Sequence, residues 1–193
     1  MQPRPTPPHI LPSTRPILHC CETWHVLAGD GKVIANMPKQ PATWEAIQRM
    51  EEVLLAPLER EFGSVILTYG FAGPELVKAI EKRAAKDGRP PNISPRGDQH
   101  AGHEINRLGN RICKRDGIAV DLRVPGRSSL EVAQWVIDHL PFDRIYFYDE
   151  VRPFHLSWAP EPVGQVVKMV TTKNGWLVPR VVKRAWVGPA SAT

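Results

Sequence analysis

The sequence lacks the features that mark membrane proteins and disulfide-rich secreted domains. No run of about 18 apolar residues, the minimum for a membrane-spanning helix, occurs in the 193 residues. Residues 1–30 lack the basic and then apolar layout of a secretory signal peptide. Only three cysteines are present and two are adjacent, which excludes a disulfide framework. These absences favour a cytoplasmic protein that is not inserted in a membrane.

Acidic residues are missing from the last part of the chain. None follows Glu161, so the formal charge of +5 resides in residues 162–193. Five basic residues carry it: Lys168, Lys173, Arg180, Lys183 and Arg184. A local cationic surface attracts nucleic acid or an acidic partner, whereas Lys and Arg along an exposed strand edge also prevent unwanted pairing. Both interpretations remain open at this point.

Proline, in contrast, is abundant and unevenly placed. Six of the 20 prolines fall within residues 1–16, which predicts a Pro-rich tail over residues 1–20. The remaining residues, 21–193, have the length of a single domain. Within it, residues 24–34 are typical of a hairpin around Gly29-Asp30-Gly31, and residues 162–187 form a basic hairpin extension that turns at Asn174-Gly175.

Helical spacing dominates the first half of this domain and strand patterns the second half. Thr43 is a candidate cap for a helix that ends near Phe62, Pro74 suits the first turn of another, and Ser128-x-x-Glu131 is a capping box. Apolar residues between His100 and Lys114 also suggest a helix. The predicted strands are 64–69, 118–124, 144–148, 154–158, 166–172 and 176–182. This order predicts an α+β domain, an antiparallel sheet with helices on one face.

One group of residues is suited to metal chemistry: His100, His103, Glu104, Asp121 and His155. Asp121 and His155 each interrupt an apolar strand, and a metal ion is one partner that offsets the desolvation of such groups. A catalytic zinc ion takes three N or O ligands and keeps one open position. The ordinary alternatives are solvated loop histidines at 100 and 103, a satisfied core histidine at 155, and an Asp121 paired with Arg123 or Arg144. Cys113 is expected to be a small buried residue.

Four segments resemble the M15-type zinc peptidases of the Hedgehog/D-Ala-D-Ala-peptidase fold. Gly117-Ile118-Ala119-Val120-Asp121 is similar to the end of their Ser-x-His-x-x-Gly-x-Ala-x-Asp segment. Phe154-His155-Leu156-Ser157 resembles their aromatic-x-His-x-Ser segment. Residues 67–71 and 140–145 resemble other strand entries, so the likeness covers about residues 64–160. The resemblance implies this fold, a zinc ion and a peptide or amide substrate, for which a D-amino acid is one option.

The chain departs from the family pattern at two positions. A gapless match puts Lys114 in place of the first zinc-binding His, whereas matching Asp98-Gln99-His100 to Ser-x-His requires an inserted helical turn over residues 105–116. The implied ligands are then His100, with His103 as the alternate, Asp121 and His155. Arg152 occupies the position where relatives have the acid that activates water.

Another residue is therefore expected to act as the general base. Glu150 ranks first as general base, with Glu104 and Asp149 as alternatives; Glu104 instead supports His100 if the two share a helical face. Arg152, together with Tyr148, is the expected substrate-binding group.

Two functions are carried forward. The first is a zinc-dependent hydrolase that cleaves a peptide or amide bond by metal-activated water. The second is an M15-like domain with altered chemistry that binds nucleic acid or a protein, for which the basic C-terminal strands and the Tyr146–Tyr148 aromatics beside Arg144 are the motivation. A P-loop is excluded, because no Gly-rich segment ends in Gly-Lys-Ser/Thr.

Overall fold

The computed structural model describes residues 17–18, 34–88, 93–173 and 177–183. In these ranges three helices and a six-stranded sheet form an α+β domain. The first helix runs as α1 (Pro41–Met50), a π-helical turn (Glu51–Leu55) and α2 (Ala56–Phe62); the others are α3 (Pro74–Asp87) and α4 (Ser129–His139). The strands are β1 (Ile66–Tyr69), β2 (Ile118–Arg123), β3 (Arg144–Phe147), β4 (Phe154–Trp158), β5 (Gln165–Thr171) and β6 (Leu177–Val182).

Local sequence signals account for most helix ends. Proline occupies the first turn of α1 and of α3, where its missing N–H costs nothing. Gly88 ends α3 in the left-handed conformation, and the Ser128 side chain accepts a hydrogen bond from the Leu130 amide at the start of α4. The prediction of Thr43 as a cap is wrong, since it lies inside α1 and is buried.

The sheet is mixed, which corrects the expectation of a purely antiparallel one. Its strand order is β1-β2-β4-β3-β5-β6. Strand β5 pairs parallel to β3, whereas every other pairing is antiparallel. The C-terminal strands β5 and β6 therefore continue the same sheet as the predicted core.

The strand register separates apolar and polar side chains onto opposite faces, because directly paired residues share a face. One row across the sheet is Val120, Leu156, Ile145, Val166 and Val182. The adjacent row is Tyr69, Asp121, His155, Tyr146, Val167 and Val181. The first row packs in the main core with residues of α1, α2 and α4. The second row carries the candidate functional residues.

The helices do not share a single packing surface. Residues of α3 lie in a second cluster with Tyr69, Ala101 and Cys113, and Tyr69 belongs to the polar row. The helices therefore do not all pack on one face of the sheet, whereas the sequence analysis predicted that they would. Cys113 is a free cysteine and is buried, as the sequence analysis predicted.

Residues 100–116 contain no helix, which overturns the predicted one. The chain makes turns, with an isolated bridge between Ile105 and Arg111. Gly117 then enters β2 with φ of +90°, and a Cβ there would lie 1.7 Å from the carbonyl oxygen of Trp158. Only glycine fits this close approach.

Several predicted features lie outside the described residues. These are the hairpin at 24–34 apart from Ile34, the turn at Asn174-Gly175, and the tail apart from Ile17 and Leu18. Ile17 itself is 2% exposed and packs in the main core. Among the described helices, none has the length and apolar character needed to cross a bilayer.

Candidate metal centre

Three side chains from separate parts of the chain meet on the polar face of the sheet. Asp121 and His155 are directly paired in β2 and β4, and Nδ1 of His155 lies 3.1 Å from Oδ1 of Asp121. Nε2 of His100 lies 3.4 Å from the same oxygen. Ligand atoms at 2.0–2.2 Å around a tetrahedral zinc ion are about 3.3–3.6 Å apart. The three residues each offer one ligand atom, and these atoms lie within 4.8 Å of one another.

Backbone contacts fix the orientation of the His100 ring. Nδ1 lies 2.9 Å from the carbonyl oxygen of Gly70, which only accepts hydrogen bonds, so Nδ1 carries the proton. The amide of Ala72 donates to the His100 carbonyl at 2.9 Å, which ties this loop to the end of β1. In the neutral ring the lone pair is then on Nε2, directed toward Asp121. A carbonyl that orients a ligating histidine in this way is a common feature of metal sites.

Each of the two imidazoles also has a buried nitrogen atom that makes no hydrogen bond with the described residues. His100 is 0% and His155 2% exposed, yet Nε2 of each ring makes no hydrogen bond. A buried polar atom without a partner costs about 1–3 kcal/mol, and an ion is one physical reason for keeping it. Nε2 of His100 faces Oδ1 of Asp121 at 3.4 Å, a distance that is long for a charge-assisted hydrogen bond. The donor set of two imidazoles and a carboxylate suits Zn²⁺.

The charges in the cluster are strongly coupled. Burial lowers the pKa of His100, but the carboxylates of Asp98 and Asp121 outweigh it and raise that pKa to about 9. Burial raises the pKa of Asp121, and His100 followed by His155 more than reverses this, holding the pKa far below its usual range. Without metal, the site therefore holds a proton on His100 beside an ionised Asp121. A divalent cation would replace that proton.

The cluster opens on a cavity of about 460 Å³, to which all three residues contribute. This volume is within the range of small-molecule sites, about 300–1,000 Å³. Its remaining polar lining is Ser94, Asp98, Arg115, Tyr146, Tyr148 and Gln165. One wall is apolar and comes from β5 and β6. The arrangement leaves an open side of the cluster in contact with a space that a ligand is able to enter.

Asp98 is a cavity carboxylate that the sequence analysis did not single out as a functional group. It is 8% exposed, and its Oδ2 accepts a 2.6 Å hydrogen bond from the Ser94 amide. Besides Asp121, it is the only carboxylate among the described residues that line the cavity. Its place two residues before His100 was the available signal, since that spacing matches the serine of the family segment.

Glu104 lies elsewhere, so its proposed roles as base or as support for His100 are not supported. Its side chain is buried, and Oε1 accepts hydrogen bonds from the amides of Lys39 and Gln40 and from the Thr43 hydroxyl. A carboxylate at the N-terminus of α1 is stabilised by the helix dipole. Glu104 therefore anchors the loop after His100 to this helix.

The segment between β3 and β4 positions Tyr148 at the cavity but not its charged neighbours. Glu150 is exposed and does not line the cavity, and neither does Arg152. The Arg152 guanidinium pairs with Asp149 at 2.5 Å and lies over the Tyr148 ring, 5.3 Å from its centroid. Burial, followed by the charges of Asp121 and Asp98, raises the pKa of Tyr148 to about 12, so the phenol remains a hydrogen-bond donor. The expectation for Tyr148 agrees with this placement, whereas Glu150 and Arg152 lie outside the cavity.

His103, the alternate ligand, is directed away from the cluster. Its Nε2 accepts a hydrogen bond from the Gly117 amide at 3.1 Å, and Nδ1 lies 3.9 Å from Asp116. Burial lowers the pKa of His103, which suits a neutral acceptor. Of the two histidines, only His100 joins Asp121 and His155. Lys114, where a gapless match would put a ligand, is exposed.

The aromatic residues and Arg144 that motivated nucleic-acid binding make internal contacts. The Tyr146 ring stacks on His155, with centroids 4.6 Å apart, and Phe147 is buried. Arg144 pairs with Asp143. Lys168 and Arg180 are directly paired on β5 and β6. Nucleic-acid binding through the C-terminal strands stays a prediction that none of these contacts specifically favours.

Comparison of the chain with protein-family models, curated proteins and solved structures found no match.

Proposed function

We propose that the protein is a zinc-dependent hydrolase that cleaves a peptide or amide bond, with His100, Asp121 and His155 as metal ligands. The observation that carries the proposal is the convergence of these three side chains at one end of a cavity. Two come from paired strands, and the third from a loop held by a backbone carbonyl. A purely structural ion pair needs neither an orphaned imidazole nitrogen nor an adjoining cavity.

The resemblance to M15-type peptidases gives independent support. With a gap in the first segment, the resemblance implied Asp121, His155 and either His100 or His103 as ligands, and His100, Asp121 and His155 form the cluster. We propose the Hedgehog/D-Ala-D-Ala-peptidase fold for the chain on this basis. The match requires an insertion between His100 and Gly117; residues 105–116 form an excursion there, but it consists of turns and lacks the helical turn that the match expected.

Two cavity residues besides the metal ligands then have proposed roles, Asp98 and Tyr148. A Zn²⁺ ion held by these residues would act as a Lewis acid that polarises a carbonyl and lowers the pKa of water from about 15.7 to about 7. Asp98 accepts a proton from the attacking water and returns it to the leaving amine. Tyr148 donates a hydrogen bond to the oxygen on which negative charge develops. Asp98 replaces Glu150 as the favoured base because it shares the cavity with the ligands.

Metal content and hydrolysis test this function together. The purified protein, dialysed against excess zinc and then freed of unbound metal, is expected to hold one zinc ion per chain. His155→Ala and Asp121→Asn should lose it, whereas His139→Ala, on the exposed end of α4, should not. The zinc-loaded protein should hydrolyse members of a library of N-acetylated tripeptides, and a chelator should stop the reaction.

Two results would contradict the proposal. The first is a wild-type protein that binds no zinc, or a His155→Ala protein that binds it equally well. The second is a stoichiometric zinc protein that cleaves no member of the library, with L- or D-residues at its last position. The second result would leave a metal site without the proposed chemistry.

A further inference from the structure

Gln99, the residue directly before His100, has an unusual backbone conformation. Its φ of +67° is the only positive value for a residue other than glycine among the described residues. The left-handed region costs free energy for any residue with a Cβ, and such strain persists only where surrounding contacts hold it. Gln99 is also 0% exposed, so these contacts lie in the protein interior.

The side-chain amide of Gln99 makes two of these contacts. Its Nε2 lies 2.6 Å from the carbonyl oxygen of Asp116 and 2.9 Å from Oδ2 of Asp143. Both partners are acceptors, so each receives one of the two N–H groups of the amide. Asp116 lies just before β2, the strand that carries Asp121. The first hydrogen bond therefore joins the His100 loop to the strand of a second ligand.

Asp143 connects Gln99 to the strand of the third ligand. Its backbone amide donates a 2.8 Å hydrogen bond to the carbonyl oxygen of Ser157, which belongs to β4. The Asp143 carboxylate is 2% exposed, pairs with Arg144 and accepts a 3.1 Å hydrogen bond from the Val163 amide. These contacts fix the carboxylate in place. Gln99 thus has a rigid acceptor next to β4.

The loop is attached to the sheet from two sides. The His100 ring and carbonyl group bond to Gly70 and Ala72, next to the end of β1. Those two bonds orient the ring, but they do not connect it to β2 or β4. The Gln99 amide makes that connection. Since the ligand atoms of a zinc ion must be about 3.3–3.6 Å apart, the spacing of the cluster depends on this side of the loop.

We propose that Gln99 is a positioning residue of the metal centre, which holds His100 at coordination distance from the ligands on β2 and β4. This inference rests on the proposed function, because it requires the metal. Gln99 is not among the residues that line the cavity, so it acts through His100 and does not touch a substrate. Substitution of a group that orients a metal ligand lowers metal affinity about 10- to 100-fold.

The test compares zinc affinity with stability in two substitutions of Gln99. Gln99→Met keeps the approximate size of the side chain and removes both hydrogen bonds, and Gln99→Gly also removes the backbone strain. Competition with a chromogenic chelator at constant pH measures zinc affinity, and urea unfolding of the metal-free proteins measures stability. Both variants should still bind one zinc ion per chain, with Kd raised about 10- to 100-fold. Their Co²⁺ absorption spectra should differ from that of the wild type, because the ligands are less well placed.

Thr43→Val is the matched control. Thr43 is 0% exposed, and its hydroxyl donates to Glu104 at 3.0 Å and accepts from the His103 amide at 3.1 Å. The substitution therefore also removes two buried hydrogen bonds of the same loop, beyond the ligand and away from the cluster. It should lower stability in urea, as Gln99→Met does. Its zinc affinity and Co²⁺ spectrum should remain those of the wild type.

The outcomes separate this inference from the proposed function. Wild-type zinc affinity in Gln99→Met would overturn the positioning role, and equal weakening in Thr43→Val would also overturn it, because the effect would then follow stability alone. Wild-type affinity in Gln99→Gly would reject the amide hydrogen bonds as the cause, and this variant decides the question if Gln99→Met does not fold. Zinc affinity that depends on Gln99, in a protein that cleaves no peptide, would support the positioning role and contradict the hydrolase.

Discussion

The stability of the metal-free protein should fall as the pH rises from 6.5 to 9. His100 is fully buried, and Asp98 and Asp121 raise its pKa from 6.5 to about 9. A group with a raised pKa contributes its full stabilisation below the unfolded pKa and loses it as the pH passes the folded value. A difference of 2.5 between the two values corresponds to about 3 kcal/mol of free energy of unfolding, at about 1.4 kcal/mol for each pKa unit.

Chemical or thermal unfolding in the presence of a chelator measures this effect. For a chain of this length, about 3 kcal/mol lowers Tm by roughly 6–12 °C. His100→Gln should lack this slope between pH 6.5 and 9, whereas His139→Ala should retain it. Zinc reverses the dependence, because the metal displaces the proton and its affinity rises over the same range. A metal-free wild-type protein with flat stability, or a His100→Gln protein with an unchanged slope, would refute the electrostatic description of the cluster.

Three substitutions test other parts of the account. Gly117→Ala should destabilise the fold severely in thermal denaturation, because the added Cβ would lie 1.7 Å from a backbone oxygen. Gly126→Ala, also at positive φ but in open space, should cost only about 1–2 kcal/mol. Equal losses of stability in the two variants would contradict this. Asp98→Asn should keep one zinc per chain while kcat falls about 10²- to 10⁴-fold. Glu150→Gln should leave kcat nearly unchanged. A larger loss of kcat in Glu150→Gln than in Asp98→Asn would instead identify Glu150 as the base. Glu104→Gln should lower the free energy of unfolding by about 1–2 kcal/mol, because it removes the negative charge at the start of α1. Its zinc stoichiometry should not change. Loss of zinc in this variant would assign Glu104 to the metal site.

The pairing of Asp121 with His155 was largely predictable from the sequence. Each residue stands as a single polar group within an apolar strand, and alternation fixes the face on which its neighbours lie. Val120 and Leu156 point to the core, so Asp121 and His155 point away from it together. Which strands are neighbours is a property of the whole chain. For this reason the parallel pairing of β3 with β5 left no local signal.

The failed helix between His100 and Lys114 shows how periodicity misleads. Ile105, Leu108 and Ile112 have helical spacing, but Leu108 is 84% exposed and Ile105 38%. The Asn106 side chain accepts hydrogen bonds from the amides of Leu108 and Asn110. Such local contacts compete with helix formation, and Asn and Gly in this stretch were the overlooked signal.

Site residues that depend on this excursion were the least predictable. Arg115 lines the cavity after the chain turns back between Ile105 and Arg111, whereas Arg152 pairs with Asp149 outside the cavity. Both are arginines near predicted site residues, and the sequence alone did not indicate which of them lies at the cavity. Asp98 was easier to identify from the sequence, because it precedes His100 by two positions. The proposal that Asp98 acts as the base depends on its place in the cavity and on the positions of Glu104 and Glu150 outside it.

The central claim is that His100, Asp121 and His155 hold one zinc ion at the cavity. A crystal of the zinc-soaked protein, with an anomalous difference map recorded above and below the zinc edge, tests it directly. The account predicts a single strong peak about 2.0–2.2 Å from Nε2 of His100, an oxygen of Asp121 and a ring nitrogen of His155. No peak at these three side chains, or a peak held by other residues, would contradict it.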